Sequence, residues 1–270
     1  IAEGKYTGRY SGGEEQRRQS CTDQKGVKHM YDELKKILTQ SDNIVFFGGA
    51  GVSTESNIPD FRSQSGIYSK KTYPYRAETM ISSEFFHEHP EQFYDFYFHE
   101  MVYERAQPND AHLALAKLEE MGKLKAVITQ NIDGLHQKAG SHKVLELHGS
   151  IHRNRCQRCR AEYDLQEMLK QKKQVPRCPS CNGILKPEVV LYGESLDMQV
   201  MEEAILFLSQ ADVLIVGGTS LVVYPAAGLL QYFRGSKLIL INKEETAMDH
   251  RADLVIHDAI GKVMKEAVLV

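Results

Sequence analysis

The sequence contains no tryptophan, only eight prolines and five cysteines in 270 residues, and no excess of either charge. Five cysteines are too few to staple a chain of this length, which excludes a disulfide scaffold. Thirty-three Lys and Arg against 36 Asp and Glu leave a net charge of −3, so no global field draws the chain toward nucleic acid or an anionic membrane. No apolar run reaches the roughly 18 to 20 residues of a spanning helix, and the first residues lack the apolar centre of a signal peptide. The reading is an intracellular, cytoplasmic protein without a membrane segment. What is present, 42% hydrophobic and 26% charged residues, suits one large domain with its own core and room for a small insertion.

Residues 1 to about 26 are rich in Gly, Ser, Gln and charge without apolar periodicity, and read as a flexible arm or appended leader in which Cys21 has no assigned role. From there Met30, Leu34, Ile37 and Leu38 recur at helical spacing, and residues 43–47 form an apolar run that ends in glycines. Further apolar runs at 126–128, 144–147, 213–216, 238–241 and 254–256 alternate with helical segments. Among these are Ala111 to Met121 behind a cap at Asp110, and the face Met201, Ala204, Ile205 and Leu208. Continuous apolar strands between helices predict an α/β fold, a Rossmann-type doubly wound and mostly parallel sheet. Two stretches break the rhythm. Residues 67–104 are dense in Phe and Tyr and read as a helical insertion whose rings fill a local core. Residues 153–183 carry four cysteines and little apolar mass, so they cannot close a core of their own without a staple. The expected plan is a Rossmann-type unit from 27–66, 105–152 and 184–270, with a small domain from 67–104 and 153–183.

The turn Gly48-Gly49-Ala50-Gly51-Val52-Ser53 follows directly on an apolar strand. Glycines there let backbone N–H groups approach a diphosphate, and a following helix adds its dipole. A ligand-free βα turn is the other reading, since Thr54 replaces the third glycine of the dinucleotide pattern and the Lys-Ser/Thr ending of a P-loop is missing. The second polar turn, Gly217-Gly218-Thr219-Ser220, and Asn242 also end apolar strands. Ligands of open parallel sheets lie across such carboxyl ends, so together these turns favour a dinucleotide. Cys156, Cys159, Cys178 and Cys181 form two Cys-x-x-Cys knuckles separated by 18 residues, the donor set of a closed tetrahedral zinc site. Four sulfurs leave no open position, so the metal is structural. A redox role for either pair is the weaker reading. Arg153, Arg155, Arg158 and Arg160 make a local basic cluster beside the knuckles, read as a solvated face and not as a DNA contact.

Several strings in one order, Gly49 to Ser53 through Ile58-Pro59-Asp60-Phe61-Arg62, Thr129-Gln130-Asn131-Ile132-Asp133-Gly134-Leu135-His136, Leu147-His148-Gly149, the cysteine quartet, Lys186 to Glu194 and Gly218 to Leu221, resemble the sirtuin family over residues 28–265. The likeness is greatest to compact bacterial members. It implies an NAD-dependent protein-lysine deacetylase in which acetyl-lysine and NAD give lysine, nicotinamide and 2′-O-acetyl-ADP-ribose through an alkylamidate intermediate. His148 would be the general base, an imidazole whose pKa lies near working pH, and Asn131 its catalytic companion. Gln130, Asn131, Ile132 and Asp133 would serve the nicotinamide and its ribose. Asp60, Phe61 and Arg62 would form the cofactor loop, its ring keeping water from the reacting sugar. Gly49, Ala50, Gly51 and Thr54 would meet the diphosphate, and Gly218, Thr219, Ser220, Asn242 and Asp258 the adenosine half. The strand Val190, Leu191, Tyr192, Gly193, Glu194 and the loop Leu221, Val222, Val223, Tyr224 would hold the acetyl-lysine peptide between them as an added strand.

Two departures matter. Asn57 stands where many sirtuins have Gly, and Asn tolerates the positive φ such a turn needs. Members that remove acidic acyl groups carry Tyr and, three residues on, Arg. Here Tyr97 and Glu100 align with that pair, so a neutral acyl group, acetyl first, is expected. ADP-ribose transfer to protein or NAD hydrolysis in the same pocket is the alternative. A non-catalytic zinc-ribbon nucleic-acid binder comes third.

Overall fold

The segment Ile44–Gly48 is apolar at every position but its terminal glycine, and all five residues are buried. Strands buried on both faces read in this way when helices cover the sheet from each side. The computed structural model describes residues 26, 28–63, 66–69 and 73–270. The expected arm, apart from its last residue, and Cys21 lie outside the described residues. The strands are β1 (Ile44–Gly48), β2 (Leu124–Thr129), β3 (Val144–Glu146), β4 (Gly149–Cys156), β5 (Glu162–Tyr163), β6 (Leu185–Val189), β7 (Val213–Gly217), β8 (Lys237–Ile241) and β9 (Leu254–Ile256). The helices are α1 (28–40), α2 (Ala77–Met80), α3 (Ser83–Glu88), α4 (Pro90–Phe96), α5 (Asp110–Glu120), α6 (Leu135–Lys138), α7 (Leu165–Leu169), α8 (Met198–Gln210) and α9 (Ile260–Met264).

Six strands pair in the order β3-β2-β1-β7-β8-β9, all parallel. The expected Rossmann-type sheet is therefore present. Alternate residues of β1 serve opposite cores. Ile44 and Phe46 face Leu34, Leu115 and Val263 of α1, α5 and α9, whereas Val45 and Phe47 face Ala204 and Leu208 of α8. Register aligns Gly48 with Thr129 and Gly217, and Gly217 with Ile241. The segments that follow these four strand ends thus emerge in one row. The order of strands reverses between β1 and β7, which opens a crevice there. Among the described residues no helix is long and apolar enough to cross a membrane.

A second, antiparallel sheet, β5-β4-β6, carries the cysteine region. Its core is shared. Phe86, Phe93, Tyr94, Phe96 and Tyr97 of the helical insertion pack with Cys156, Leu165, Met168 and Leu185. Phe86 and Phe93 meet edge to face at 5.0 Å, and the Tyr94 hydroxyl donates to the Leu185 carbonyl. The apolar mass missing from residues 153–183 is thus supplied by residues distant in sequence.

Three local expectations need correction. The cap of α5 is Asn109, not Asp110. Asn109 Oδ1 accepts the Ala111 N–H at 2.9 Å, while its Nδ2 donates to the Val52 carbonyl (2.8 Å) and Ser56 Oγ (2.9 Å). Asp110 lies inside the helix and pairs with Lys265 at 3.0 Å. The element after β1 is a 3₁₀ turn over Ala50–Ser56 and not an α-helix. It stops at Asn57, which adopts the left-handed conformation (φ 62°) as expected of its side chain, and Pro59 then bars helix at Ile58. Residues 190–194 are not a strand. Beyond β6 only Tyr192 makes a bridge, to Ser82, and Gly193 turns the chain at φ 90°.

Candidate active site

The crevice between β1 and β7 opens into a cavity of about 590 Å³ at the carboxyl edge of the sheet. Its walls come from the turns after β1, β2, β7 and β8, from His148 beyond β3, and from the segment after β6. Shared register brings these turns together, and glycine allows them to touch. A Cβ on Gly51 would stand 2.7 Å from Gly218 Cα, and one on Gly49 2.8 Å from Thr219 Cβ. Gly218 itself sits at φ 57°, a region that disfavours other residues. The Gly49 and Gly51 amides donate to the Gly217 and Gly218 carbonyls at 3.3 and 2.8 Å. These glycines therefore knit two strand ends together and do not aim their own N–H groups at a ligand. The Ala50 N–H, on the cavity wall, has no acceptor among the described residues.

A polar chain runs beneath this turn. Asn131 Nδ2 donates to Ser53 Oγ at 3.1 Å, and Ser53 Oγ donates to Asp133 Oδ2 at 2.7 Å. The second carboxylate oxygen of Asp133 accepts the Leu135 N–H at 2.9 Å. Burial pushes the Asp133 carboxyl up from its usual range, opposed by the Leu135 and Ser53 hydrogen bonds. The network leaves the Asn131 carbonyl oxygen as the polar end of that side chain. Gln130 bridges the sheet halves, with Nε2 3.1 Å from Thr219 Oγ1.

His148 is held by one ring nitrogen. Its Nδ1 lies 3.0 Å from the Gln130 carbonyl, which can only accept, so in the neutral ring Nδ1 carries the proton and Nε2 has the lone pair. Burial pushes the imidazole below its usual value against the raising effect of that hydrogen bond. A neutral ring on a cavity wall can take a proton from a ligand. His148 also accepts the Val190 N–H on its carbonyl at 2.9 Å, tying the base to the start of the 190–194 segment.

All seventeen positions expected to contact the dinucleotide, His148 included, line the cavity. Like Asp133, their other two carboxylates are already engaged. Asp60 Oδ1 accepts the Arg62 and Ser63 N–H groups, which shapes the loop that carries Phe61. Asp258 accepts from Tyr31 (2.8 Å), Lys262 (2.6 Å) and the Ala259 N–H (2.7 Å). Of the nine positions expected to meet peptide, Val190 to Glu194, Val223 and Tyr224 line the cavity, whereas Leu221 and Val222 do not. The backbone of 190–194 is largely spent. Tyr192 pairs through its N–H with Ile81 and through its carbonyl with Ser83, and the Leu191 N–H goes to the Glu194 carboxylate. Gly193, whose backbone has no partner among the described residues, is the place in this segment where an added strand can pair. Glu100 lines the same cavity, and Tyr73 donates to it at 3.2 Å. Tyr97 is fully buried and lies off the wall.

Sequence reasoning missed Ser53 and Tyr68 as wall residues, together with the apolar lining from Ile67, Ile81 and Met101. Ser53 lay within a quoted motif, but its partners stand 78 and 80 residues away and no local pattern reveals them.

The four cysteine sulfurs lie within 4.8 Å of one another, 3.4 Å for Cys156 and Cys181 and 3.6 Å for Cys159 and Cys178. Four sulfurs bound tetrahedrally at about 2.3 Å would sit about 3.8 Å apart, so the cluster fits a metal ion. The Arg158 and Cys159 N–H groups point at Cys156 Sγ at 3.4 Å. Arg153 and Arg155 pair with Glu146, Glu162 and Glu188, which neutralises half of the basic cluster.

Residues 49–225 match the Sir2 family. The chain is 58% identical over 238 residues to an NAD-dependent protein deacetylase of Clostridium acetobutylicum, covering 88% of this chain and 97% of that one. Two solved structures are also similar. One is a Sir2 variant with a deacetylated p53 peptide and 3′-O-acetyl ADP ribose (41% identical, TM-score 0.80, 87% of this chain and 96% of that one). The other is a Sir2 complex with a p53 peptide and NAD+ (41% identical, TM-score 0.75, 86% and 95%).

Proposed function

The chain belongs to the Sir2 family and is an NAD-dependent protein-lysine deacetylase, and we propose that it works through the cavity at the β1/β7 crevice with His148 as general base. The observation that carries this assignment is the tether of His148 Nδ1 to the Gln130 carbonyl, which leaves Nε2 as the accepting atom on the cavity wall. NAD, when bound, supplies the ADP-ribose that receives the acetyl group. The remaining work falls to the chain. The Ala50 amide and the Gly218 to Ser220 turn would hold the diphosphate side, and Asn242 a ribose. Asn131, oriented by Ser53, would present its carbonyl oxygen to the sugar beside His148. Phe61 would keep water from the reacting carbon, and Arg62 would sit near phosphate.

The peptide would lie between Gly193 and the loop carrying Val223 and Tyr224, with the acyl chain passing toward the wall formed by Ile67, Ile81 and Met101. Glu100 in that cavity would repel an acidic acyl tail, so acetyl and other neutral groups are the substrates of choice. Zinc is the ion assigned to the four thiolates. It would close them tetrahedrally, with a purely structural role and no position left for substrate.

The test is incubation of the protein with an acetyl-lysine peptide, with and without NAD, followed by mass spectrometry of peptide, nicotinamide and O-acetyl-ADP-ribose. Products in equal amounts, lost in His148→Ala, support the assignment. Nicotinamide without deacetylation would instead place ADP-ribose transfer or NAD hydrolysis in this cavity.

A further inference from the structure

Phe61 and Arg62 must be held over the nucleotide from somewhere, and the contacts made by Tyr68 identify the holder. Its N–H donates to the Phe61 carbonyl at 2.9 Å, its ring meets the Phe61 ring edge to face at 5.5 Å, and the Arg62 guanidinium lies 5.3 Å from its ring centroid. One tyrosine thus touches Phe61 and Arg62, two of the three loop residues expected to meet the cofactor. Its hydroxyl leaves the loop and lies 3.0 Å from the Tyr192 hydroxyl.

Tyr192 belongs to the opposite wall, where the peptide is expected. Its main chain is fixed on both sides, the N–H to the Ile81 carbonyl at 3.0 Å and the carbonyl to the Ser83 N–H at 2.9 Å. Next to it, Glu194 accepts the Leu191 N–H at 2.9 Å and pairs with Lys186 at 3.0 Å. The Tyr192 hydroxyl is therefore the movable end of an otherwise anchored residue. Both tyrosines line the cavity, and about two-fifths of Tyr192 is exposed where a peptide would lie.

We propose that Tyr68 is a positioning residue, and that its hydroxyl contact with Tyr192 makes seating of the acyl-lysine peptide and placement of Phe61 and Arg62 mutually dependent. This rests on the assignment of Phe61 and Arg62 to the cofactor and of 190–194 to the peptide. A peptide that fixes the Tyr192 side chain fixes the Tyr68 hydroxyl, and through the ring of Tyr68 the cofactor loop. By reciprocity, nucleotide that orders Phe61 and Arg62 tightens the peptide slot by the same factor. One hydroxyl pair of ordinary strength supports about a two- to tenfold change in affinity.

The test uses the full chain and a carba analogue of NAD that cannot release nicotinamide. Its dissociation constant is measured by calorimetry with and without saturating acetyl-lysine peptide, in wild type, Tyr68→Phe, Tyr192→Phe and the double variant. Both substitutions keep the rings and remove only the hydroxyls. The expected result is that peptide tightens analogue binding in wild type, that either single variant loses about two- to tenfold of that enhancement, and that the double variant loses no more than a single one. KM for NAD should rise in step while melting temperatures stay level, which separates positioning from misfolding. An unchanged enhancement in Tyr192→Phe, additive losses in the double variant, or no enhancement in wild type would each overturn the proposal. Failure of the underlying functional assignment shows separately, as absence of NAD-dependent deacetylation by wild type.

Discussion

Ser53→Ala removes one oxygen from the middle of the Asn131–Ser53–Asp133 chain, and the consequences can be followed atom by atom. The Ser53 hydroxyl donates to the Asp133 carboxylate at 2.7 Å and accepts from Asn131 at 3.1 Å. A hydrogen bond to a charged group contributes about 1.5 to 3 kcal/mol, and a neutral one about 1 kcal/mol. The variant should therefore lose about 2 to 4 kcal/mol, a fall in melting temperature of about 5 to 15 °C for a domain of this size. Activity should fall further than stability implies, because Asn131 no longer has its anchor. Misplacement of a reacting group by a fraction of an ångström lowers kcat/KM by about ten- to a hundredfold. The pH dependence gives the sharper check. The Ser53 bond lowers the Asp133 pKa, which burial raises. Without that bond the carboxyl rises further, so the folded variant takes up its proton more readily than wild type. Protonated Asp133 has no need of the lost donor, and the stability deficit must shrink as pH falls toward the raised pKa. Urea unfolding of both proteins at pH 8 and at pH 5 measures this difference directly. A deficit below about 0.5 kcal/mol at pH 8, or one that grows on acidification, would refute the account.

The remaining predictions concern acid and metal. His148 is pushed below the ordinary histidine value, so the acid limb of kcat/KM should lie below pH 6.5, and a limb at or above that value would remove its assignment as base. His112 and His136 pack 4.7 Å apart, both buried, and burial holds His112 down at about 4. A depressed histidine stays neutral in the fold while the unfolded chain protonates below pH 6.5, so stability falls from there down to about pH 4. Between pH 7.5 and 5 His112 should contribute about 2 kcal/mol of that loss. His112→Gln should flatten the pH dependence of urea unfolding by this amount, and an unchanged slope would count against the burial argument. Chelation at pH 7.5, or Cys178→Ser, should unfold the β5-β4-β6 sheet and release the aromatic core it shares with the helical insertion, read as a lost near-ultraviolet signal from the tyrosines. Retention of that signal after complete metal removal would show that the core stands without the ion.

The doubly wound sheet was legible because strands buried on both faces show as continuous apolar runs, and each of the six central strands coincides with a run marked as such. Errors arose where two neighbours have similar local chemistry and a distant contact chooses between them. Asn109 and Asp110 are both good cap formers. Asn109 takes the place because its amide also donates to Val52 and Ser56, and a carboxylate has no hydrogen to offer them. Residues 190–194 open with the composition of a strand, Val-Leu-Tyr, yet the Glu194 side chain captures the Leu191 N–H and Gly193 takes a positive φ. The chain turns there before a second pairing can form. Ser53 and Tyr68 stayed hidden for a related reason. A serine in a turn and a tyrosine after a loop each have ordinary local explanations, and their roles follow only from partners 80 and 124 residues away.

The residues of this site divide according to what a substitution would change. Gly51 and Gly218 touch so closely that any side chain on either one separates β1 from β7, which alters the crevice before any ligand is met. Asn57 and Asn109 hold the same turn, one through its backbone conformation at the far end and the other through two hydrogen bonds, to Val52 and Ser56. His148, Asn131 and Phe61 occupy places defined by those contacts and present chemistry to the cavity. Loss of a shaping residue should therefore weaken nucleotide binding and stability together, whereas loss of His148 should lower turnover far more than either. The strand register requires this division. Gly48, Thr129, Gly217 and Ile241 end in one row, so every turn that shapes the crevice adjoins one that acts within it.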